Sequence, residues 1–242
     1  MQHLLQTIRD DLLATRDTVC LERAGLVTEA YQEHEGQPPL ARRADAFHHV
    51  LRNMTLDVAT NPIFAGNTST RPRAWMLVPE HGFQGDGQIV IENESLKGFP
   101  GHAIPDDMRE YWESRSFGGS YGIGHLAVDF RRVVHEGLES VIDEAGDRRP
   151  LPDHEALEYR MAAVRSCRAV IEWAGRYAQA ATKAAEETDD PALRTLHLRV
   201  AQACRHVPAK PARNLFEALQ SIVLVHLATA IEGHGMSISI GL

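Results

Sequence analysis

Three polar residues carry side chains able to hydrogen-bond a small oxygen-bearing molecule. His125 closes the glycine-rich stretch GGSYGIGH, and Ser237 and Ser239 alternate with isoleucine in SISI. A neutral imidazole donates from one nitrogen and accepts at the other, which suits hydroxyl groups and proton transfer near neutral pH. On a strand Ser237 and Ser239 share one face while Ile238 and Ile240 take the other, so apolar packing would turn both hydroxyls the same way. Asp129 is a further candidate, although its place at the head of an apolar helical stripe also fits an N-cap. His125 at a loop-to-helix junction also fits a local backbone hydrogen bond, and the two serines also fit the frayed end of a strand.

Other chemistries find no such pattern. GGSYGIGH has neither a Gly-Lys-Ser nor a Gly-x-Gly-x-x-Gly spacing and no clear strand before it, so it reads as turns rather than a phosphate cradle. The thirteen histidines offer no His-Glu-x-x-His spacing, and adjacent His48 and His49 cannot reach one metal from one side of a helix, so no metal site is expected. Cys20, Cys167 and Cys204 show no Cys-x-x-Cys pair; Cys167 and Cys204 fall within helical runs and read as core packing.

The elements that must position these residues follow from periodicity. Asp129 heads a helix expected to bury Phe130, Val133, Val134, Leu138, Val141 and Ile142. Two long helices are expected over Asp153–Glu187 and Pro191–His206, the second capped by Asp190. The first should bury Leu157, Met161, Val164, Val170, Ile171, Ala174, Tyr177, Ala178 and Ala181. A third helix should begin at about Pro211 and be so apolar from Leu215 to Leu227 that it lies buried among other elements, the most buried of the three, which pack as one unit. His226 within it reads as a core histidine with one hydrogen bond. Gly233, His234 and Gly235 end it, and the SISI strand follows.

Toward the N-terminus, Leu4, Leu5, Ile8, Leu12 and Leu13 mark an amphipathic opening helix. Another begins after Pro38 and Pro39 with Ala44, Phe47, Val50, Leu51 and Met54 as its stripe, leaving Arg42, Arg43 and Arg52 on a solvated face. Residues 63–66 and 74–78 carry strand signatures, residues 80–101 read as a loop or short hairpin around Ile89, Val90 and Ile91, and Pro105 opens a helix with Met108, Tyr111 and Trp112.

Composition bounds the function. A 242-residue chain that is 43% hydrophobic and 24% charged is globular and can bury one sizeable core or two small ones. A net charge of -8 with scattered Lys and Arg argues against a nucleic-acid partner. The N-terminus lacks a signal-peptide pattern, no run of about 18 uncharged apolar residues suggests a membrane partner, and the cysteine usage fits a reducing, cytoplasmic setting.

Several stretches resemble the glycyl-radical enzymes of the pyruvate formate-lyase-like family: PPLARRADAFHHVLRNM with FAGNTSTRPRAWMLVPE, GIGHLAVDFRRVVHEGLESVIDEA, RYAQAATKAAEE, and VPAKPARNLFEALQ with IEGHG and SISIG. Ile240 stands where a proline is common in that family and Leu242 where an arginine is expected. The resemblance implies an α/β, mainly helical fold, the incomplete N-terminal part of a glycyl-radical-enzyme α/β barrel. It spans residues 1–242 as one domain, with 1–150 as helices, short strands and loops and 151–242 as long helices leading into a barrel strand.

The resemblance also implies an activity: a lyase or dehydratase, or a formate acetyltransferase-like enzyme, in which a thiyl takes hydrogen from a small polar substrate. His125, Ser237, Ser239 and Asp129 are the substrate-pocket candidates. It further implies an anaerobic setting, a radical SAM activating enzyme as partner, and a homodimer as one open assembly. The glycyl radical would sit in a C-terminal part, with no cofactor bound by the residues read here. Neither a Gly-Cys-x-Glu-like loop nor an Arg-Val-x-Gly-like run occurs among the 242 residues, so catalysis is not complete in this chain, which is expected to be inactive alone. The end at SISIGL reads as that of a truncated fragment. The competing expectation is a non-catalytic helical interaction or scaffold domain derived from that family.

Overall fold

The computed structural model describes residues 2–16, 18–79, 105–113, 126–146, 153–234 and 238–239. Nine α-helices are described: α1 (Gln2–Ala14), α2 (Glu22–Glu33), α3 (Pro39–Asn53), α4 (Asp106–Glu113), α5 (Phe130–Glu136), α6 (Leu138–Gly146), α7 (His154–Glu187), α8 (Pro191–Cys204) and α9 (Leu215–Thr229). A π-helical turn, Ala230–His234, extends α9. The four described strands are β1 (Thr18–Cys20), β2 (Ala74–Met76), β3 (Leu126–Ala127) and β4 (Ile238–Ser239). They form two parallel pairs, β1 with β2 and β3 with β4.

Helix α7, 34 residues and so about 50 Å long, is the spine. Asp153 caps it through a bond from the Ala156 amide at 2.8 Å. Its middle and end bury Ala169, Ala174, Ala178, Ala181 and Ala185 beside Trp173 and Tyr177, and the small residues let α3 and α8 approach closely along it. Asp190 starts α8 as expected, accepting from the Ala192 amide at 2.8 Å, with Pro191 in the first turn. The first turns of α7 depart from expectation: Leu157 and Met161 are exposed, while Tyr159, Ala162 and Ala163 line a cleft with α3. The stripe of α3 is buried as expected. The opening helix forms, but Leu5, Leu12 and Leu13 on its apolar stripe are exposed.

The expected helix from Asp129 is two helices. Gly137 breaks it at φ +77°, and a Cβ there would lie 2.3 Å from the Ala209 carbonyl oxygen. The break lets Leu138 and Glu139 donate their amides to the Pro208 and Ala209 carbonyls at 2.8 and 2.9 Å. A tertiary contact, not local propensity, decides this break.

Helix α9 corrects two expectations and bears out a third. It starts at Leu215, not Pro211, because Asn214 in an extended conformation caps the Glu217 amide at 3.1 Å while Glu217 reaches back to the Arg213 amide at 2.8 Å. It is the most buried of the three late helices, as expected, although polar residues share its core face. Its inward face carries Glu217, Gln220 and Ser221 with Leu224, Val225 and Ala228, while Leu215 and Leu219 are exposed and Ile222, Val223 and Leu227 are half-buried. Finally, His226 is half-buried, and its Nδ1 lacks a hydrogen-bond partner among the described residues.

Residues 63–64 form a bend and 65–66 irregular backbone, not a strand. Asn61 accepts from the amides of Ile63 and Phe64, and Gln220 brackets Ala65 by donating to its carbonyl and accepting from its amide, each at 2.9 Å. Gly66, at φ +134°, passes so close to α9 that a Cβ would meet Leu227 Cδ1 at 2.5 Å. Strand pairing has no room in that geometry.

Candidate functional site

The site builds from β3 and β4. Leu126 pairs with Ile238 and Ala127 with Ser239, in parallel. Parallel partners far apart in sequence need a long crossover, and here α5 to α9 supply it. His125 and Ser237 lie outside the described residues, as do the GGSYGIGH loop and residues 80–104. Ser239 is described through its backbone, beside Ala127. Asp129 lies two residues beyond Ala127 and is exposed, its Oδ1 accepting from the Arg132 amide at 3.0 Å. The carboxylate thus caps α5, the structural role its position in sequence had left open.

Each strand is anchored from behind. Phe130 and Val133, one turn into α5, are buried and fix the chain leaving β3. The chain entering β4 comes from the π turn, and two arginines hold that turn. Arg23 of α2, only 5% exposed, donates from Nε to the Ile231 carbonyl at 2.5 Å and from Nη2 to the Glu232 carbonyl at 3.4 Å. Arg43 of α3 pairs with the Glu232 carboxylate. Sequence reasoning placed Arg43 on a solvated face and passed over Arg23. The signal was present: Arg23, Val27, Ala30 and Tyr31 share one helical face, so a cation sits in an apolar stripe.

The other arginines of α3 divide. Arg42 donates to the Tyr31 carbonyl and to the Tyr111 hydroxyl, the latter at 3.0 Å, and lies over the Tyr31 ring, so it is a packing residue and not a solvated one. Arg52 remains largely exposed, 3.7 Å from Glu172. His48 and His49 point to different helices, to Glu172 of α7 at 2.6 Å and Glu29 of α2 at 3.3 Å.

The cysteines do not suit nucleophilic work. Cys20 and Cys204 are buried, and burial pushes the Cys204 thiol up to about 12. Cys167 is half-buried and its thiol is raised for the same reason. Among the described residues no group of three or more His, Cys, Asp or Glu could hold a metal ion. Two surface clefts among the described residues lie elsewhere: about 420 Å³ beside Arg199, Arg213 and Phe216, and about 370 Å³ between α3 and α7. Neither contains the candidate residues.

Known proteins share this arrangement. Residues 1–242 match the Pyruvate formate lyase-like family. Isethionate sulfite-lyase of Desulfovibrio desulfuricans is 29% identical over 88% of this chain and 31% of its own length. (2S)-3-sulfopropanediol dehydratase of Klebsiella oxytoca is 24% identical over 91% of this chain and 32% of its own. The glycerol-bound, B12-independent glycerol dehydratase from Clostridium butyricum superposes with a TM-score of 0.84 at 25% identity, covering 98% of this chain and 35% of that one. A glycyl radical enzyme from Archaeoglobus fulgidus gives 0.83 at 24% identity, with the same coverage, and so supports the fold. The chain spans about a third of the length of the curated relatives it matches. With its mainly helical build, its late parallel strand and a family match along its whole length, this chain belongs to the pyruvate formate lyase-like family of glycyl radical lyases and dehydratases, and corresponds to their N-terminal third.

Proposed function

We propose that these 242 residues are the substrate-orienting N-terminal portion of a glycyl-radical lyase or dehydratase that acts on a small polar, hydroxyl-bearing substrate. The radical chemistry, a thiyl taking hydrogen from a substrate carbon, is supplied by residues outside this stretch after activation by a radical SAM enzyme. This chain's own residues bind and orient. His125 exchanges a proton or hydrogen bond with a substrate hydroxyl, Ser237 and Ser239 hold further oxygens, and each such bond contributes about 1 kcal/mol net. Asp129 contributes indirectly, by fixing the start of α5. The setting is cytoplasmic and anaerobic.

The observation that carries the reading is the parallel register Leu126↔Ile238 and Ala127↔Ser239. Leu126 follows His125 directly and Ile238 follows Ser237 directly, and neighbouring Cα atoms are about 3.8 Å apart. The two candidate segments are therefore tethered to one strand pair. The outward apolar residues of α9, Leu215 and Leu219 among them, favour further polypeptide packing on that face. The only helix long and apolar enough to cross a membrane, among those described, is this same Leu215–Glu232 stretch; its inward Glu217, Gln220 and Ser221 favour packing in protein.

Anaerobic incubation of the 242-residue chain with a radical SAM activating enzyme tests the division of labour. The expected result is no glycyl or thiyl signal by electron paramagnetic resonance and no turnover. A radical signal on this chain would overturn the proposal.

A further inference from the structure

Helix α9 gives way at Ala230 to a π turn, and the carbonyls at a helix end lack partners within the helix. Here those partners come from far away in sequence. The Arg23 guanidinium donates to two successive carbonyls, those of Ile231 and Glu232, from two different nitrogens. Arg43 engages the side chain of the same Glu232. Ile231 is 1% exposed, and a small hollow beside it is walled by Val27, Phe47 and Val50 of the two helices that carry the arginines. One turn is thus fixed at its backbone by α2, at its carboxylate by α3, and at its apolar side chain by both.

We infer that Arg23 and Arg43 are positioning residues for the candidate substrate pocket, clamping the Ile231–Glu232 turn so that β4 enters beside β3 in its observed register. This rests on the pocket assignment made under the proposed function. Only three residues separate the end of the clamped turn at His234 from Ile238, so the position of the turn bears on the strand that pairs with Leu126 and Ala127. A planar guanidinium suits the task. Its donors are fixed in a fork, whereas a lysine is a single rotating point charge that meets one carbonyl well at a time.

The test is hydrogen exchange by mass spectrometry on the 242-residue chain. Arg23→Met is expected to speed exchange of amides in 231–234 and 238–239 by at least about tenfold, while peptides from α7 and α8 change by less than about twofold. Arg23→Lys should fall between, because one of two carbonyls keeps a donor. Uniform acceleration throughout the chain would reduce Arg23 to a general stability contact and overturn the inference, as would no change. Wild-type exchange in Arg23→Lys would overturn the claim that both carbonyls are held together.

Should Arg23→Met fail to fold, Arg43→Met and Glu232→Gln keep the test open. Each should speed exchange in 231–234 by about two- to fivefold with α7 and α8 unchanged, and no local change in either would sink the clamp. No turnover is needed, so the outcome is independent of the functional reading: the clamp can stand while His125 proves irrelevant to catalysis, and the reverse.

Discussion

Replacing Gln220 by leucine isolates one buried polar contact that joins the long loop before β2 to α9. Gln220 is fully buried, and its amide accepts from the Ala65 N–H and donates to the Ala65 carbonyl, each at 2.9 Å. Ala65 is also 0% exposed, so water cannot replace either bond without opening the loop. Leaving a buried donor or acceptor unpaired costs about 1–3 kcal/mol each, and the added apolar burial of leucine returns about 1–2 kcal/mol. Taken at mid-range, the net expectation for Gln220→Leu is a loss of about 2.5 kcal/mol, or about 5–10 °C in Tm for a chain of this size.

Gln220→Glu adds a sign test. A carboxylate there faces a carbonyl oxygen and is desolvated, so its folded pKa should rise above the unfolded value of about 4.3. A raised folded pKa means that the deficit grows as pH rises above about 4.3 and shrinks toward acid. Thermal melts of wild type, Gln220→Leu and Gln220→Glu at pH 7 and pH 4.5 check both statements. A Gln220→Leu melt within about 1 °C of wild type at pH 7 would refute the reasoning, because the Ala65 bracket would then carry no net stability.

Gly137→Ala should destabilise by at least about 2 kcal/mol, since alanine at φ +77° is strained and its Cβ would meet the Ala209 carbonyl at 2.3 Å; urea denaturation reads this directly. Glu217 has its carboxyl held below the usual 4.5, first by its hydrogen bonds from Arg213, despite an opposing effect of burial. A depressed folded pKa gives stability that is present above the unfolded value and lost as pH falls through the folded one. Arg213→Met should therefore lower Tm above about pH 4.5 and converge with wild type in stronger acid; a constant difference across pH 3–7 would contradict the pairing.

Elements with strong local signals were legible. Asp153, Asp190 and Pro191 mark α7 and α8 because a cap and a first-turn proline act within one turn of chain. The split at Gly137, the non-strand backbone at residues 63–66 and the polar residues on the core face of α9 were not, because each is decided by a partner distant in sequence: Pro208 and Ala209, Gln220, and Ala65 with Gly66. Asn214 and Glu217 stood at a capping-box spacing that would have moved the start of α9 to its observed place.

For the site, the alternation in SISI indicated a strand, but no local pattern in 238–239 names Leu126–Ala127 as its partner. That pairing was accessible only through the family resemblance. Asp129 shows the reverse: its capping role was readable from position alone.

The central claim, that the segment beside β3 and the segment beside β4 together orient the substrate, is tested most directly by His125→Ala in the chain completed with its radical-bearing portion. Glycyl-radical yield by electron paramagnetic resonance and turnover are measured in the same preparation. The account predicts an undiminished radical signal with turnover lowered at least about tenfold, as for loss of a general acid or base. Near-normal turnover at equal radical yield would contradict it.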